Sequence, residues 1–104
     1  MMRISTALAA FLLLTPFTRG AAPDFETDVL PVLTKSGCNT GACHGAAIGR
    51  GGFRLSLLGY DPDLDYESIV HEYQGRRINM AKPERSLLLR KPTLQVEHEG
   101  GHKL

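Results

Sequence analysis

The sequence predicts one small all-α domain. Three stretches carry apolar residues at helical spacing, and each is bounded by Asp, Pro or Gly residues of the kind that begin or end helices. The chain has 104 residues, of which 42% are hydrophobic, and it contains no Trp. This length suits a single domain with a marginal core. A bound group with a large apolar surface would help such a chain to fold.

The N-terminus has the pattern of a secretory signal. Arg3 is followed by an apolar run, Ile4–Leu14, and then by small residues over positions 18–22. The run is too short to span a bilayer comfortably, although an uncleaved N-terminal anchor is the alternative. We expect residues 1–22 to be a signal peptide and residues 23–104 to be the exported domain, periplasmic or secreted.

The charge of the exported part excludes some partners. The chain has 12 basic and 11 acidic residues. Removal of Arg3 and Arg19 with the signal leaves 10 basic residues, so the net charge is near −1. No basic excess indicates a nucleic acid or an anionic lipid surface. We expect no membrane span in the mature chain.

The first predicted helix covers residues 23–35. Asp24 is a suitable N-cap, and the apolar face comprises Phe25, Val29, Leu30, Val32 and Leu33. Pro31 falls inside this run, so it should kink the helix or separate two segments. Gly37 should end it.

The next stretch, residues 37–45, holds both cysteines, Cys38 and Cys43, with His44 directly after the second. This order is typical of a haem c attachment site, in which two thiols add to the porphyrin vinyl groups and the adjacent histidine becomes the proximal iron ligand. We therefore expect haem c as the cofactor, held by Cys38, Cys43 and His44.

The spacing departs from the usual pattern, since four residues rather than two separate the cysteines. A bulged loop would still reach both vinyl groups, and Gly41 and Asn39 both tolerate the positive φ that a bulge needs. A Cys38–Cys43 disulfide is an alternative in an exported protein. A zinc or iron–sulfur site would lack a ligand.

Residues 44–52 are rich in Gly and Ala and predict a loop close to a flat ligand. Residues 53–60 alternate between apolar and polar and then become continuously apolar, which predicts a short strand or an extended wall. Its side chains are candidates to cover the haem, with an ordinary core as the alternative. Asp61-Pro62-Asp63 should begin a helix that Gly75 closes.

A last short helix is predicted over residues 86–91, ended by Pro92. Before it, Arg76 and Arg77 are candidates to pair with the haem propionates, with a solvated charge pair as the alternative.

The sixth iron ligand has several candidates. Met80 and His98 lead, with His102 and His71 behind them. A thioether would raise the reduction potential, whereas a second imidazole would lower it.

Most of the mature chain resembles the N-terminal cytochrome c-like domain of large exported planctomycete proteins, which continue into domains of unknown function. The matching residues are Phe25, residues 28–33, 37–45 and 52–62, Pro83, and residues 86–93 and 98–101. The resemblance implies a cytochrome c-like helical fold around a covalent haem, incomplete at the C-terminus because it lacks the last helix. It also implies His98 as the distal ligand, and a redox partner protein or attached C-terminal domains as partners.

These expectations describe an electron-transfer module of a larger exported protein rather than an enzyme. The competing hypothesis is a small exported binding or scaffold domain that is cross-linked by a Cys38–Cys43 disulfide and holds no haem. A haem sensor or peroxidase-like enzyme is a third, although the sequence shows no obvious acid–base pair for peroxidase chemistry.

Overall fold

A computed structural model of the protein describes residues 21–104. The predicted signal therefore lies outside the described residues, except for Ala21 and Ala22, which are exposed and irregular. The described residues form helices, turns and extended segments but no β-strand, apart from an isolated bridge between Arg50 and Phe53. This agrees with an all-α class. None of the helices in residues 21–104 has the length and apolar content required to cross a membrane.

The first helical segment has two parts. A π-helical turn runs over Phe25–Val29, and helix α1 follows at Leu30–Lys35. Asp24 caps the start, where its carboxylate accepts a hydrogen bond from the Thr27 backbone N–H at 2.9 Å. Pro31 lies in the first turn of α1, and the change of helix type occurs just before it. The predicted division at Pro31 is therefore confirmed. Gly37 follows with φ +77°, as expected of a glycine that ends a helix.

Residues 53–60 form an extended wall rather than a strand. The Leu55 N–H donates to the His44 carbonyl at 2.8 Å, and the Leu58 N–H donates to the Asn39 carbonyl at 3.0 Å. The backbone partner of this wall is therefore the cysteine loop instead of a second strand. A short 3₁₀ turn, Leu57–Gly59, ends it.

Helix α2 spans Pro62–Val70, with Asp61 as a cap that accepts from the Leu64 N–H at 3.2 Å. The prediction that this helix continues to Gly75 is wrong. The chain breaks at His71, and the turn that follows, α3 (Glu72–Gly75), holds Tyr73 and Gln74 in the left-handed region. Beyond the break, Arg77 packs against the Tyr73 ring and bonds to the distant Gly52 carbonyl.

The C-terminal part contains a 3₁₀ turn, Pro83–Arg85, and helix α4, Leu87–Arg90, within one residue of the predicted bounds. After α4 the tail returns to the body of the domain. The Lys103 N–H donates to the carbonyl of Pro92 at 2.8 Å.

The core lies between α1, the extended wall and α2. Its buried apolar side chains are Leu30, Leu33, Leu55 and Ile69. Phe25, Cys38, Phe53, Val70, Ile78 and Leu88 pack around them and are partly buried. A polar contact supports the same region, because the buried carboxylate of Asp65 accepts from both the N–H and the hydroxyl of Ser56, at 2.6 and 2.7 Å. The cysteine loop lies against this small core, because Cys38 packs on it and the Cys38 N–H donates to the Leu33 carbonyl at 3.0 Å.

Candidate functional site

The cysteine loop is folded into consecutive turns. The His44 N–H donates to the Cys38 carbonyl at 3.0 Å, and the Gly45 N–H donates to the Thr40 carbonyl at 2.9 Å. These bonds draw the two ends of the loop together despite the four intervening residues. Gly45 packs directly on the backbone of Asn39, so closely that a Cβ there would overlap it.

Asn39 lies at the centre of the loop and is fully buried. Its side-chain amide donates to Thr34 Oγ1 on α1 at 2.9 Å. Its Oδ1 atom has no hydrogen-bond partner among the described residues. The expectation that Asn39 and Gly41 supply positive φ is wrong, because neither has it. Asn39 instead anchors the loop to α1 and to the extended wall, so the bulge is held by hydrogen bonds rather than by backbone freedom.

The imidazole of His44 is half-buried and oriented by the extended wall. Its Nδ1 lies 2.9 Å from the carbonyl oxygen of Phe53. Because a carbonyl oxygen only accepts, Nδ1 carries the proton and Nε2 keeps its lone pair. Burial lowers the pKa of His44 below its ordinary value of 6.5, partly offset by the Phe53 hydrogen bond and reinforced by His98. The surroundings of His44 therefore favour its neutral form.

Cys38 and Cys43 carry free thiols that are partly exposed. Burial raises the pKa of the Cys38 thiol, and the neighbouring Cys43 adds to this effect. Both thiols face the same cavity as His44.

His98 is brought to the other side of this cavity by the C-terminal tail. The ring centroids of His44 and His98 are 6.4 Å apart, and the ring planes differ by 20°. The Nδ1 of His98 lies 2.8 Å from the Gly101 carbonyl oxygen, so it too carries the proton. Both histidines therefore have Nε2 available as a ligand atom.

The cavity has a volume of about 1130 Å³. This slightly exceeds the roughly 300–1,000 Å³ of ordinary small-molecule pockets. Apolar side chains of α1 and α4 and the ring of Phe53 form part of its walls. The basic residues that line it are Arg50, Arg76, Arg77, Lys91 and Lys103, and the acidic ones are Asp28, Glu97 and Glu99. Within residues 21–104, no three His, Cys, Asp or Glu side chains converge as a site for a bare metal ion.

The other candidate ligands lie elsewhere. Met80 is 85% exposed and does not line the cavity. His71 projects from the C-terminal end of α2, where its Nδ1 lies 2.7 Å from the carboxylate of Glu67. His102 is exposed and is not part of the cavity wall. Of the four candidates, only His98 shares the cavity with His44.

The two arginines differ in their surroundings. Arg76 is exposed at the cavity. Arg77 is buried, and its guanidinium is bonded to the protein through Ser68, Glu72 and Gly52. Arg76 is thus the better placed of the two for the predicted contact with a propionate. The role of Arg77 was not anticipated, because its partners are distant in the sequence.

No protein-family model matches the chain, and neither the curated proteins nor the solved structures provide a significant match. The arrangement of the site is therefore the basis for assigning a function.

Proposed function

We propose that the protein binds one haem c covalently and transfers electrons, as an exported module that serves a redox partner or further domains of a larger protein. The observation that carries this proposal is the disposition of His44 and His98. Two imidazoles on one metal, on opposite faces of a planar ligand, have ring centroids about 6 Å apart, because each metal–nitrogen bond is about 2 Å and each nitrogen lies about 1 Å from its ring centre. The separation of 6.4 Å fits this arrangement.

The hydrogen bonds of both rings support the same role. Histidines that bind metals commonly donate the other ring N–H to a carbonyl group, which fixes the tautomer and the ring orientation. The Phe53 carbonyl does this for His44 and the Gly101 carbonyl does it for His98. In this proposal His44 is the proximal ligand and His98 is the distal ligand, and Met80 remains an exposed side chain.

The walls of the cavity suit a large, flat and apolar group. Val32 and Leu89 line it and are 49% and 40% exposed. A porphyrin held there by thioether bonds to Cys38 and Cys43 would cover both side chains. Burial of their apolar surface would stabilise the small core by about 25 cal/mol per Å². The basic residues at the cavity, Arg76 and Lys103 among them, are suitable partners for propionates.

Bound haem supplies a one-electron iron couple, whose potential is lower with two imidazoles than with an imidazole and a thioether. The chain would hold both imidazoles in place, and side chains of α1 together with Phe53 would line the site. With His98 on the iron no position remains open for a substrate, which favours an electron carrier over an enzyme or a gas sensor. Export, inferred from residues 1–22, agrees with the compartment in which haem c is attached.

Production of the full chain with a c-type maturation system tests the proposal. A haem stain that survives denaturing electrophoresis, with a matching gain of porphyrin mass, is expected for the wild type and should be absent from a Cys38→Ser/Cys43→Ser variant. No added porphyrin mass in the wild type, together with a mobility change on reduction, would instead establish the disulfide-stapled scaffold.

A further inference from the structure

The guanidinium of Arg77 is buried in the protein, with the residue only 8% exposed. Nη1 donates to the Ser68 carbonyl at 2.6 Å and to the Glu72 carboxylate at 3.1 Å. Nη2 donates to the Gly52 carbonyl at 2.8 Å. A buried cation is unfavourable unless it is hydrogen-bonded, and here three of its five N–H donors are bonded to partners from two parts of the chain.

Two aromatic rings complete the surroundings of Arg77. Its guanidinium carbon lies 4.3 Å from the ring centroid of Phe53 and 5.3 Å from that of Tyr73. Both distances are within the range of cation–π contacts. Tyr73 reaches this position from the left-handed turn after α2. The left-handed backbone of Tyr73, which is unfavourable for a residue other than glycine, is thus found together with the contact between its ring and the guanidinium.

These contacts act on the residue that holds His44. Phe53 contributes its carbonyl to His44 Nδ1 at 2.9 Å, and its ring centroid lies 4.5 Å from that of His44. Arg77 fixes the carbonyl that precedes Phe53 and also the Phe53 ring. Arg77 thus contacts both the peptide group before Phe53 and the Phe53 side chain. The orientation of Phe53, and through it that of His44, therefore depends on Arg77.

We propose that Arg77 is a positioning residue for His44, which it acts on through the backbone and ring of Phe53. The inference rests on the proposed function, because the imidazole that it orients is the proposed proximal ligand. His98 is an internal reference, since its own carbonyl partner, Gly101, belongs to the tail and has no bond to Arg77. Lysine cannot replace this arginine, because a single ammonium lacks the planar fork that spans two chain segments.

Hydrogen exchange of the two ring N–H groups in the reduced, haem-loaded protein tests the proposal. NMR with ¹⁵N-labelled histidine resolves the Nδ1 protons of His44 and His98 in one sample. In Arg77→Lys we expect the His44 proton to exchange at least about tenfold faster, while that of His98 stays within about twofold of the wild type. Arg85→Lys, at an exposed arginine that does not line the cavity, should change neither.

A second variant covers the case in which Arg77→Lys does not mature. Glu72→Gln weakens the hold on Nη1 and leaves Arg77 in place, so it should accelerate exchange of the His44 proton alone, to a smaller degree. Equal acceleration of both protons, or no acceleration of either, in whichever variant matures, would overturn the positioning role. A wild-type chain that takes up no haem would instead refute the proposed function, so the two failures are distinguishable.

Discussion

The imidazole rings of His44 and His98 lie across one cavity, with centroids 6.4 Å apart and planes inclined by 20°. One ring is held by the core through Phe53, whereas the other is held by a turn of the C-terminal tail. In the proposed iron site, His44 is therefore held by the packed core, whereas His98 depends on a few contacts within the tail. This asymmetry determines where substitutions should have their largest effects.

His98→Ala should convert the proposed six-coordinate, low-spin haem to a form with an open position, because the ligand opposite His44 is removed. The visible absorption spectrum measures this change, and added imidazole should restore the low-spin bands. Met80→Leu is the control, since Met80 lies outside the cavity. A low-spin spectrum retained in His98→Ala but lost in Met80→Leu would assign the distal ligand to Met80.

Gly100→Ala should weaken the same side of the site without removing a ligand. A Cβ at position 100 would lie 2.9 Å from Cε1 of the His98 ring, so the ring must move. We expect faster binding of cyanide or carbon monoxide in competition with His98, by about tenfold if the displacement costs about 1.4 kcal/mol. Gly41→Ala, where a Cβ has no neighbour within 4 Å, should bind at the wild-type rate.

Gly45→Ala should destabilise the cysteine loop. The added Cβ would overlap the Asn39 carbonyl and lie 2.8 Å from the Thr40 carbonyl oxygen, and both are backbone atoms that cannot rotate away. Overpacking of this kind costs about 1–3 kcal/mol. Urea unfolding of the matured protein, followed by circular dichroism, measures the loss. Gly41→Ala in the same loop should change the free energy of unfolding far less, and equal losses would contradict the packing argument.

Asp24 should contribute an acid-sensitive part of the stability. Hydrogen bonds from Thr27, chiefly from its backbone N–H, lower the pKa of Asp24 below its ordinary value of 3.8. Since the folded-state pKa is the lower one, this contribution is complete above pH 3.8 and is lost as the pH falls through the folded-state value.

Asp24→Asn tests this dependence, because asparagine caps helices about as well as aspartate but does not titrate. The variant should lose less stability than the wild type when acidified from pH 3.8 downward, as measured by thermal melting. Parallel melting curves for the two proteins across that range would show that the cap is not the source of the acid sensitivity.

Asp65→Ala should be more costly than a surface substitution. It leaves the buried N–H and hydroxyl of Ser56 without their acceptor. Each unsatisfied buried group costs about 1–3 kcal/mol, so we expect a loss of about 2 kcal/mol or more in urea unfolding. Asp63→Ala, at an exposed position of the same helix, is the matched control and should cost less than about 1 kcal/mol. Similar losses would mean that the Ser56 contact contributes little.

The boundaries that sequence analysis located correctly depend on local chemistry. Gly37 ends α1, Pro31 marks a change of helix type, and Asp61 with Pro62 begins α2. Each of these signals acts within one turn of the chain. The end of α2 was predicted wrongly, because the apolar pattern continues to Tyr73 although the helix ends at Val70. After this end, Arg77 bonds to Gly52, a contact between distant residues that the local pattern does not reveal.

The sequence by itself determined the local part of the site: two thiols and an adjacent imidazole within seven residues, which any fold would keep close together. Only the tertiary structure decided which other residues share that cavity. It brought His98 to within 6.4 Å of His44 and left Met80 in solvent. The physical reason is that backbone propensities and helix caps act over only a few residues. The position of a side chain that is distant in the sequence depends instead on how the whole chain packs.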